Sequence, residues 1–286
     1  MHSIEIPSIE QSILIPSEWD DCSNEQAEFI LKHAMRLISG ELDMEVFQSI
    51  IFKYFTGIKT GISYIIRQKL GLNKSINERI FALSSELCSW VFEKNEIGNY
   101  QLSFETVNNF FPVLLSKYHG PKALLSDLSF SEFNDALSLL NLYYDQKDDF
   151  EESENTLNQF LSIIYRPLDN QGIRIAYNPN SINSDIFKSE LTWRKQLIAV
   201  WFSYCIKCLQ SQDLVIDGLE VNFKALFPEA SNSNTGKNKI HLGWKGVLMD
   251  IAESGVFGDA KGTGATSLYD ILIFLLKKQQ EQPKQP

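Results

Sequence analysis

Apolar side chains recur at helical spacing in segment after segment of this 286-residue chain, and this periodicity restricts the fold more than any other feature. Three or four apolar residues in every two turns are typical of a helix with one face in a core. The pattern predicts helices over residues 24–39, 44–56, 61–70, 78–93, 128–144, 157–165, 189–209, 244–253 and 267–278. The predicted fold class is mainly α, an irregular multi-helix bundle with a minor β element.

Two short segments predict the β element. Residues 4–15 alternate apolar and polar side chains around Pro7, which is typical of an extended N-terminal arm or an edge strand. Asp217 and Gly218 interrupt a second apolar run, so a tight hairpin is predicted over residues 215–221.

Local signals also define helix boundaries and connections. Ser23 and Ser129 each stand three residues before a residue that completes a capping box, Gln26 and Glu132 respectively. The acidic residues of segment 145–154 predict a solvated turn.

The region after Pro112 is predicted to contain a short helix that ends at His119, because Gly120 and Pro121 follow.

The length of the chain permits one large core or two modest ones. A single helical domain over residues 1–286 is the simplest prediction. Residues 166–184 contain two prolines, four asparagines and one glycine. They predict an irregular connection with a short strand at 173–177, and a division into subdomains 1–165 and 185–286 around it stays open.

The net charge of −10 argues against simple electrostatic binding to nucleic acid or to anionic lipid. The charge is uneven, since residues 1–50 hold ten acidic and two basic side chains, whereas residues 51–80 hold one acidic and six basic. We expect the two stretches to pack together and neutralise each other, and a protein-binding face is the alternative.

The N-terminal residues 1–19 lack a basic region followed by an apolar run, so no signal peptide is expected, and no run of 18 apolar residues predicts a membrane span. Four scattered cysteines do not resemble a disulfide framework. These features predict a reducing, cytoplasmic location.

Cys205 and Cys208 have the spacing of redox thiols and of zinc knuckles. Both fall on the helical stripe that contains Trp201, so we interpret them as small core residues, with a metal or redox site as the alternative. A zinc site needs two more ligands, and the histidines are isolated in sequence: His2, His33, His119 and His241.

Glycines are frequent in residues 255–264, where a turn before a helix can bind phosphate. Lys261 precedes glycine and the segment follows a helix, which is the wrong order for a nucleotide-binding P-loop. We expect Gly255 to end one helix in a left-handed conformation and Thr266 or Ser267 to cap the next.

The acidic clusters at residues 20–21 and 148–154 lack the glycine and the alternating oxygen ligands of a calcium loop. The basic stretch 53–79 contains aromatic residues, but the overall charge disfavours nucleic-acid binding. No nucleophile motif occurs. We therefore predict no catalytic, cofactor-binding or metal residue, no cofactor, and a protein that is not an enzyme.

Several motifs resemble a phage- and prophage-encoded family associated with tail morphogenesis, over nearly the whole length of the chain. They are Ile15-Pro16-Ser17-Glu18-Trp19, Tyr118-x-Gly120-Pro121 before residues 128–133, Ile164-Tyr165-Arg166-Pro167, and Trp244 leading to residues 252–259. The closing helix at 268–275 is similar to the end of several tail-assembly chaperones.

The resemblance implies a non-enzymatic assembly chaperone for a tape-measure or tube protein, located in the cytoplasm of the host bacterium. Its partners would be phage-type tail or other structural proteins, with no nucleic acid and no membrane. Two alternatives stay open: a structural subunit of the particle at the baseplate or neck, and a nucleotide- or metal-binding enzyme or regulator.

Overall fold

The computed structural model describes residues 1–6, 11–58, 74–146, 149–216, 218–227 and 243–281. The chain divides into two compact units, Met1–Thr106 and Val107–Pro286. Helices dominate both units, and the sheets among the described residues are small antiparallel pairs of two strands. The prediction of a mainly α fold with a minor β element is confirmed. No helix among these residues is long and apolar enough to cross a membrane.

The first unit begins with an antiparallel hairpin of β1 (His2–Ile6) and β2 (Gln11–Ile15), in which His2 lies opposite Ile15. The predicted N-terminal arm is thus extended. Ile15 is buried and so is Trp19, whose indole Nε1 donates a hydrogen bond to the Ser103 carbonyl.

Two helices follow where the periodicity predicts them. Helix α1 (Asn24–Ile38) has both hydrogen bonds of its capping box, and α2 (Met44–Thr56) ends at Gly57, whose φ of 65° is left-handed. The predicted helix at 61–70 lies outside the described residues.

The prediction of one helix over 78–93 is wrong at its C-terminal end. Helix α3 (Lys74–Leu87) gives way to β3 (Phe92–Lys94), which pairs with β4 (Tyr100–Leu102). The turn between the strands is the reason, because the Asn95 side chain accepts hydrogen bonds from the backbone amides of Ile97 and Asn99. Side chains of this type compete with helical backbone bonding.

The second unit begins with another hairpin, β5 (Val113–Leu114) and β6 (Tyr118–His119), where a short helix was expected. That prediction is wrong because Leu115 and Ser116 both adopt positive φ angles, 48° and 61°, which reverse the chain.

Helices α4 (Phe130–Asp145) and α5 (Phe150–Ile164) pack against each other. The capping box of Ser129 and Glu132 is confirmed. The predicted turn at 145–154 is too long, since Asp149 caps α5 by accepting from the Glu152 amide at 2.9 Å.

Residues 166–184 are irregular, as predicted, but they lie inside the second unit, and the division between the units falls at Thr106 and Val107. The strand expected at 173–177 does not form. That segment contributes a single bridge, between Leu168 and Arg174.

The core of the second unit is built around α6 (Thr192–Ser211), in which Trp201 and Phe202 are fully buried. The predicted hairpin follows as β7 (Asp213–Ile216) and β8 (Leu219–Asn222). The unit ends with α7 (Gly243–Glu253), α8 (Ala260–Ala265) and α9 (Leu268–Glu281). Helix α8 occupies part of the segment expected to be a glycine-rich connection.

Candidate functional site

A cavity of about 250 Å³ lies in the second unit, between the end of α5 and the irregular connection that follows it. Aromatic rings, apolar side chains, amides and one cation share its wall. The lining residues include Tyr165, Arg166, Ile175, Tyr177 and Ile182.

The end of α5 positions the first wall of the cavity. Tyr165 leaves the helix in an extended conformation and is fully buried, and its hydroxyl donates to the Phe111 carbonyl at 2.7 Å. Gly120 lies against this ring, so closely that a Cβ atom there would stand 2.6 Å from the ring carbons. A residue with a side chain at position 120 would therefore displace the ring.

Backbone hydrogen bonds join the same two segments. The His119 amide donates to the Arg166 carbonyl at 2.8 Å, and the Arg166 amide donates to the His119 carbonyl at 3.1 Å. Two motifs that begin 46 residues apart in sequence, Tyr118-x-Gly120-Pro121 and Ile164-Tyr165-Arg166-Pro167, thus meet at one wall of the cavity.

Glu132 lies behind this wall and is 1% exposed. Its Oε2 atom accepts the Ser129 amide in the capping box, which leaves Oε1 for two guanidinium groups. Arg166 Nη2 donates to Oε1 at 2.7 Å and Arg174 Nη1 donates to it at 3.0 Å. One helix cap therefore fixes a buried carboxylate between two cations.

All three side-chain nitrogens of Arg174 donate hydrogen bonds in this network. Its Nε donates to Asp127 Oδ2 at 3.2 Å, its Nη2 donates to the Asp127 carbonyl at 3.0 Å, and its Nη1 also donates to the Ile164 carbonyl at 2.8 Å. The contacts tie the connection to the start of α4 and to the end of α5, so Arg174 has a structural role.

Arg166 differs from Arg174. Its Nε and Nη1 atoms are buried and have no hydrogen-bond partner among the described residues, although Nη2 binds Glu132. The guanidinium carbon lies 5.8 Å from the centre of the Tyr177 ring. A buried N–H group without a partner costs about 1–3 kcal/mol. Both donors are enclosed by the protein and lack an acceptor, although Arg166 itself lines the cavity.

Burial and pairing act in opposite directions on these charges. Burial raises the pKa of the Glu132 carboxyl, and Arg174 and Arg166 oppose this rise. Burial lowers the pKa of Arg166, and Glu132 opposes that change. On balance the pKa of Glu132 is raised and that of Arg166 is lowered, because the effect of burial exceeds that of pairing in both groups.

Tyr177 contributes a hydroxyl that stays protonated. It donates to Asp135 Oδ2 at 2.6 Å, and burial together with the Asp135 carboxylate raises its pKa.

Exposed apolar side chains occur in the connection that forms part of the cavity wall. Ile175 and Ile182 line the cavity and are 48% and 38% exposed, and Leu168 and Ile173 in the same connection are 37% and 59% exposed. We refer to these four residues as the apolar rim. They combine with Arg166 to give a small cavity with a cation inside and apolar surface outside.

The two cysteines considered from the sequence lie in the core. Cys205 and Cys208 are both fully buried in α6, and burial raises the pKa of Cys205, so its thiolate is disfavoured. Among the described residues, no group of three or more histidine, cysteine or acidic side chains is placed to hold a metal ion. His241 lies outside the described residues.

The glycine-rich turn is used for capping. Gly255 has a φ of 69°, as predicted for a helix end. Asp259 caps α8 by accepting from the Gly262 amide at 2.8 Å, a role that the sequence interpretation did not assign. The carboxylate of Asp259 therefore occupies the position that a phosphate would take at this turn.

The acidic clusters are not uniformly solvated. Asp21 accepts from the Ser17 amide at 2.9 Å, and Asp20 accepts from the Thr106 hydroxyl at 2.9 Å. Glu154, which was assigned to a solvated turn, binds the fully buried Lys195 at 2.5 Å. Lys195 also donates to Asn158 at 2.7 Å, which satisfies a second buried group.

The sequence interpretation missed Glu132, Arg166 and Arg174 as a group. Glu132 was explained completely by the capping box, and the arginines stand in a connection without periodicity. Lys195 had a local signal, because it shares a helical face with Ile198 and Phe202.

The chain matches no protein-family model, no curated protein and no solved structure.

Proposed function

We propose that this chain is a non-enzymatic tail-morphogenesis protein of phage type that acts as an assembly chaperone for a tape-measure or tube protein. The resemblance of its motifs to the tail-associated family supports the context. The observation that supports protein binding is the apolar rim around the Arg166 cavity, where four aliphatic side chains of one connection are at least 37% exposed.

Exposed aliphatic residues that cluster in one segment favour contact with a partner, because covering them removes apolar surface from water. The client of such a chaperone would be long, helical and prone to aggregate. Binding would cover its apolar segments, and the net charge of −10 on this chain would keep the complex soluble.

Capture from cells in which the phage genes are induced tests this proposal. The tagged chain is expected to recover a tape-measure or tube protein, identified by mass spectrometry. The double variant Ile173→Ser/Ile175→Ser is expected to lose it. The control Val215→Ser/Leu219→Ser changes two aliphatic residues on the β7–β8 hairpin that are even more exposed, at 72% and 62%, and it should retain the client. Recovery of no tail protein by the wild-type chain would contradict the proposal.

Particle composition distinguishes a chaperone from a structural subunit. We expect the chain to be absent from purified particles, because a chaperone leaves its client on assembly. A fixed copy number in the particle would instead support a subunit of the baseplate or neck.

A further inference from the structure

We propose that the cavity binds the carboxylate of one acidic side chain of the partner, presented between apolar residues that cover the apolar rim. This inference rests on the proposed function only in assigning that segment to the tail client. The binding chemistry itself follows from Arg166, from the size of the cavity and from the surface around it.

The size of the cavity favours a single side chain. At about 250 Å³ it is smaller than the roughly 300–1,000 Å³ of typical small-molecule pockets. One inserted side chain surrounded by apolar contacts is the usual form of an anchor at a protein interface.

The charge of the ligand follows from the unused donors. Arg166 keeps a full positive charge but donates only through Nη2 to a described residue, so Nε and Nη1 require an acceptor. A carboxylate suits a guanidinium group because it accepts without donating and forms charge-assisted hydrogen bonds. A neutral amide of the same shape would turn an N–H group toward the cation or make weaker bonds.

The nearby acidic groups make defined contacts within the network. Glu132 is shared by Arg166 and Arg174, Asp127 binds Arg174, and Asp135 accepts from the Tyr177 hydroxyl. All three carboxylates are therefore already hydrogen-bonded, and only Glu132 binds Arg166. Glu132 also holds the Arg166 side chain in one orientation, which lowers the entropy cost of binding a ligand.

Access to the donors requires a small movement of the wall. Nε and Nη1 are enclosed in the protein alone, and the wall of the cavity includes residues of the irregular segment 178–183. This segment is held by turns instead of by a sheet or a long helix, so its displacement costs less than that of the helices behind it.

Two matched peptides test the inference. Acetyl-Leu-Glu-Leu-amide and acetyl-Leu-Gln-Leu-amide have the same shape and differ in charge. They are titrated into the ¹⁵N-labelled full chain while the Arg166 Nε–H resonance is recorded. We expect the glutamate peptide to shift this resonance and to bind at least about tenfold more tightly than the glutamine peptide. Equal binding, or no shift at millimolar glutamate peptide, would overturn the inference.

Variants locate the effect. Arg166→Lys keeps a cation beside Glu132 but removes the planar fork, and we expect about tenfold weaker binding of the glutamate peptide. If that variant does not fold, Ile175→Glu tests the same assignment. A negative charge at the rim should repel the glutamate peptide and weaken its binding, whereas Val215→Glu on the β7–β8 hairpin should leave binding unchanged. Unchanged binding of the glutamate peptide by Arg166→Lys, or equal weakening by Ile175→Glu and Val215→Glu, would overturn the assignment of the site to Arg166.

The two proposals fail separately. If Arg166→Lys captures the tail client as well as the wild-type chain does, the carboxylate site is wrong and the chaperone role stands. If the wild-type chain captures no tail protein but binds the glutamate peptide through Arg166, the site stands and its assignment to a tail client is wrong.

Discussion

Arg166 donates a hydrogen bond from Nη2 to Oε1 of Glu132 over 2.7 Å, and the two side chains are only 12% and 1% exposed. The residues are 34 positions apart, one after the end of α5 and the other in the first turn of α4. This pair fixes the irregular connection to the helical core and orients the cation of the cavity. The network is therefore the structural basis of the candidate site.

Replacing Glu132 should be strongly destabilising. Glu132→Gln keeps the shape but removes the carboxylate that pairs with the buried Arg166, and it leaves Arg174 paired with Asp127 alone. We expect a loss of about 3–5 kcal/mol in the free energy of unfolding. Urea denaturation measures it, with the exposed Glu151→Gln on α5 as the matched control. A change below about 1 kcal/mol, similar to the control, would show that the network is not buried as described.

Lys195 should show coupling to Asn158. Lys195→Met keeps the length of the side chain but leaves the buried Asn158 carbonyl oxygen without its donor, at a cost of about 1–3 kcal/mol. Glu154 is 23% exposed and can be hydrated by water when Lys195 is replaced, so the loss of its ion pair adds little to the destabilisation. A double-mutant cycle with Asn158→Leu checks this. We expect the double variant to be more stable than the sum of the single effects implies, and strict additivity would refute the contact.

The close approach at Gly120 should tolerate no side chain. Gly120→Ala places a methyl group against the rigid Tyr165 ring, and we expect a loss of about 1–3 kcal/mol in thermal or urea unfolding. Gly264→Ala is the comparison, since its methyl group meets the Ser131 hydroxyl, which can rotate away. Gly264→Ala should cost less and should be partly rescued by Ser131→Ala. A larger loss of stability in Gly264→Ala than in Gly120→Ala would contradict this account of the cavity wall.

The thiols should be poorly reactive in the folded protein. Burial raises the pKa of Cys88 to about 12, and burial with the neighbouring Asp21 and Asp20 raises that of Cys22 to about 12. At pH 8 we expect a disulfide reagent to modify these thiols on the order of 10³-fold more slowly than free cysteine, and in urea at the free rate. Rapid modification of Cys205 or Cys208 in the native state would instead favour the redox alternative.

The same shifts determine how stability changes with pH. An unfolded thiol releases its proton near pH 9, whereas the folded thiols keep theirs, so the native state holds more protons in alkaline solution. The free energy of unfolding should therefore fall as the pH rises above about 9. A free energy of unfolding that rises between pH 9 and 10 would contradict the raised pKa values of the folded thiols.

Helix positions were predictable because their signals are local. The boxes at Ser23 and Ser129 and the left-handed glycine at 255 occur where the sequence predicts them. The errors arose where a turn overrides periodicity. Asn95 bonds the backbone of its own turn, so Phe92 begins a strand of a hairpin instead of continuing α3.

The candidate site was not predictable, because its parts come from separate segments. Glu132 is consistent with a helix cap alone, and Arg166 is consistent with a surface residue of a loop. Only the tertiary structure brings the carboxylate to the cation and leaves two of its donors unused. The resemblance motifs contain several of these residues, but they indicate no chemistry until the segments meet.

Site-specific photo-crosslinking tests the central claim most directly, by asking whether the apolar rim contacts a tail protein. A photoreactive phenylalanine analogue is placed at Ile175, or at Val215 on the β7–β8 hairpin as the control, and the induced cells are irradiated. The account predicts a crosslink to a tape-measure or tube protein from position 175 and none from position 215. No tail crosslink from position 175, or equal crosslinks from both positions, would contradict it.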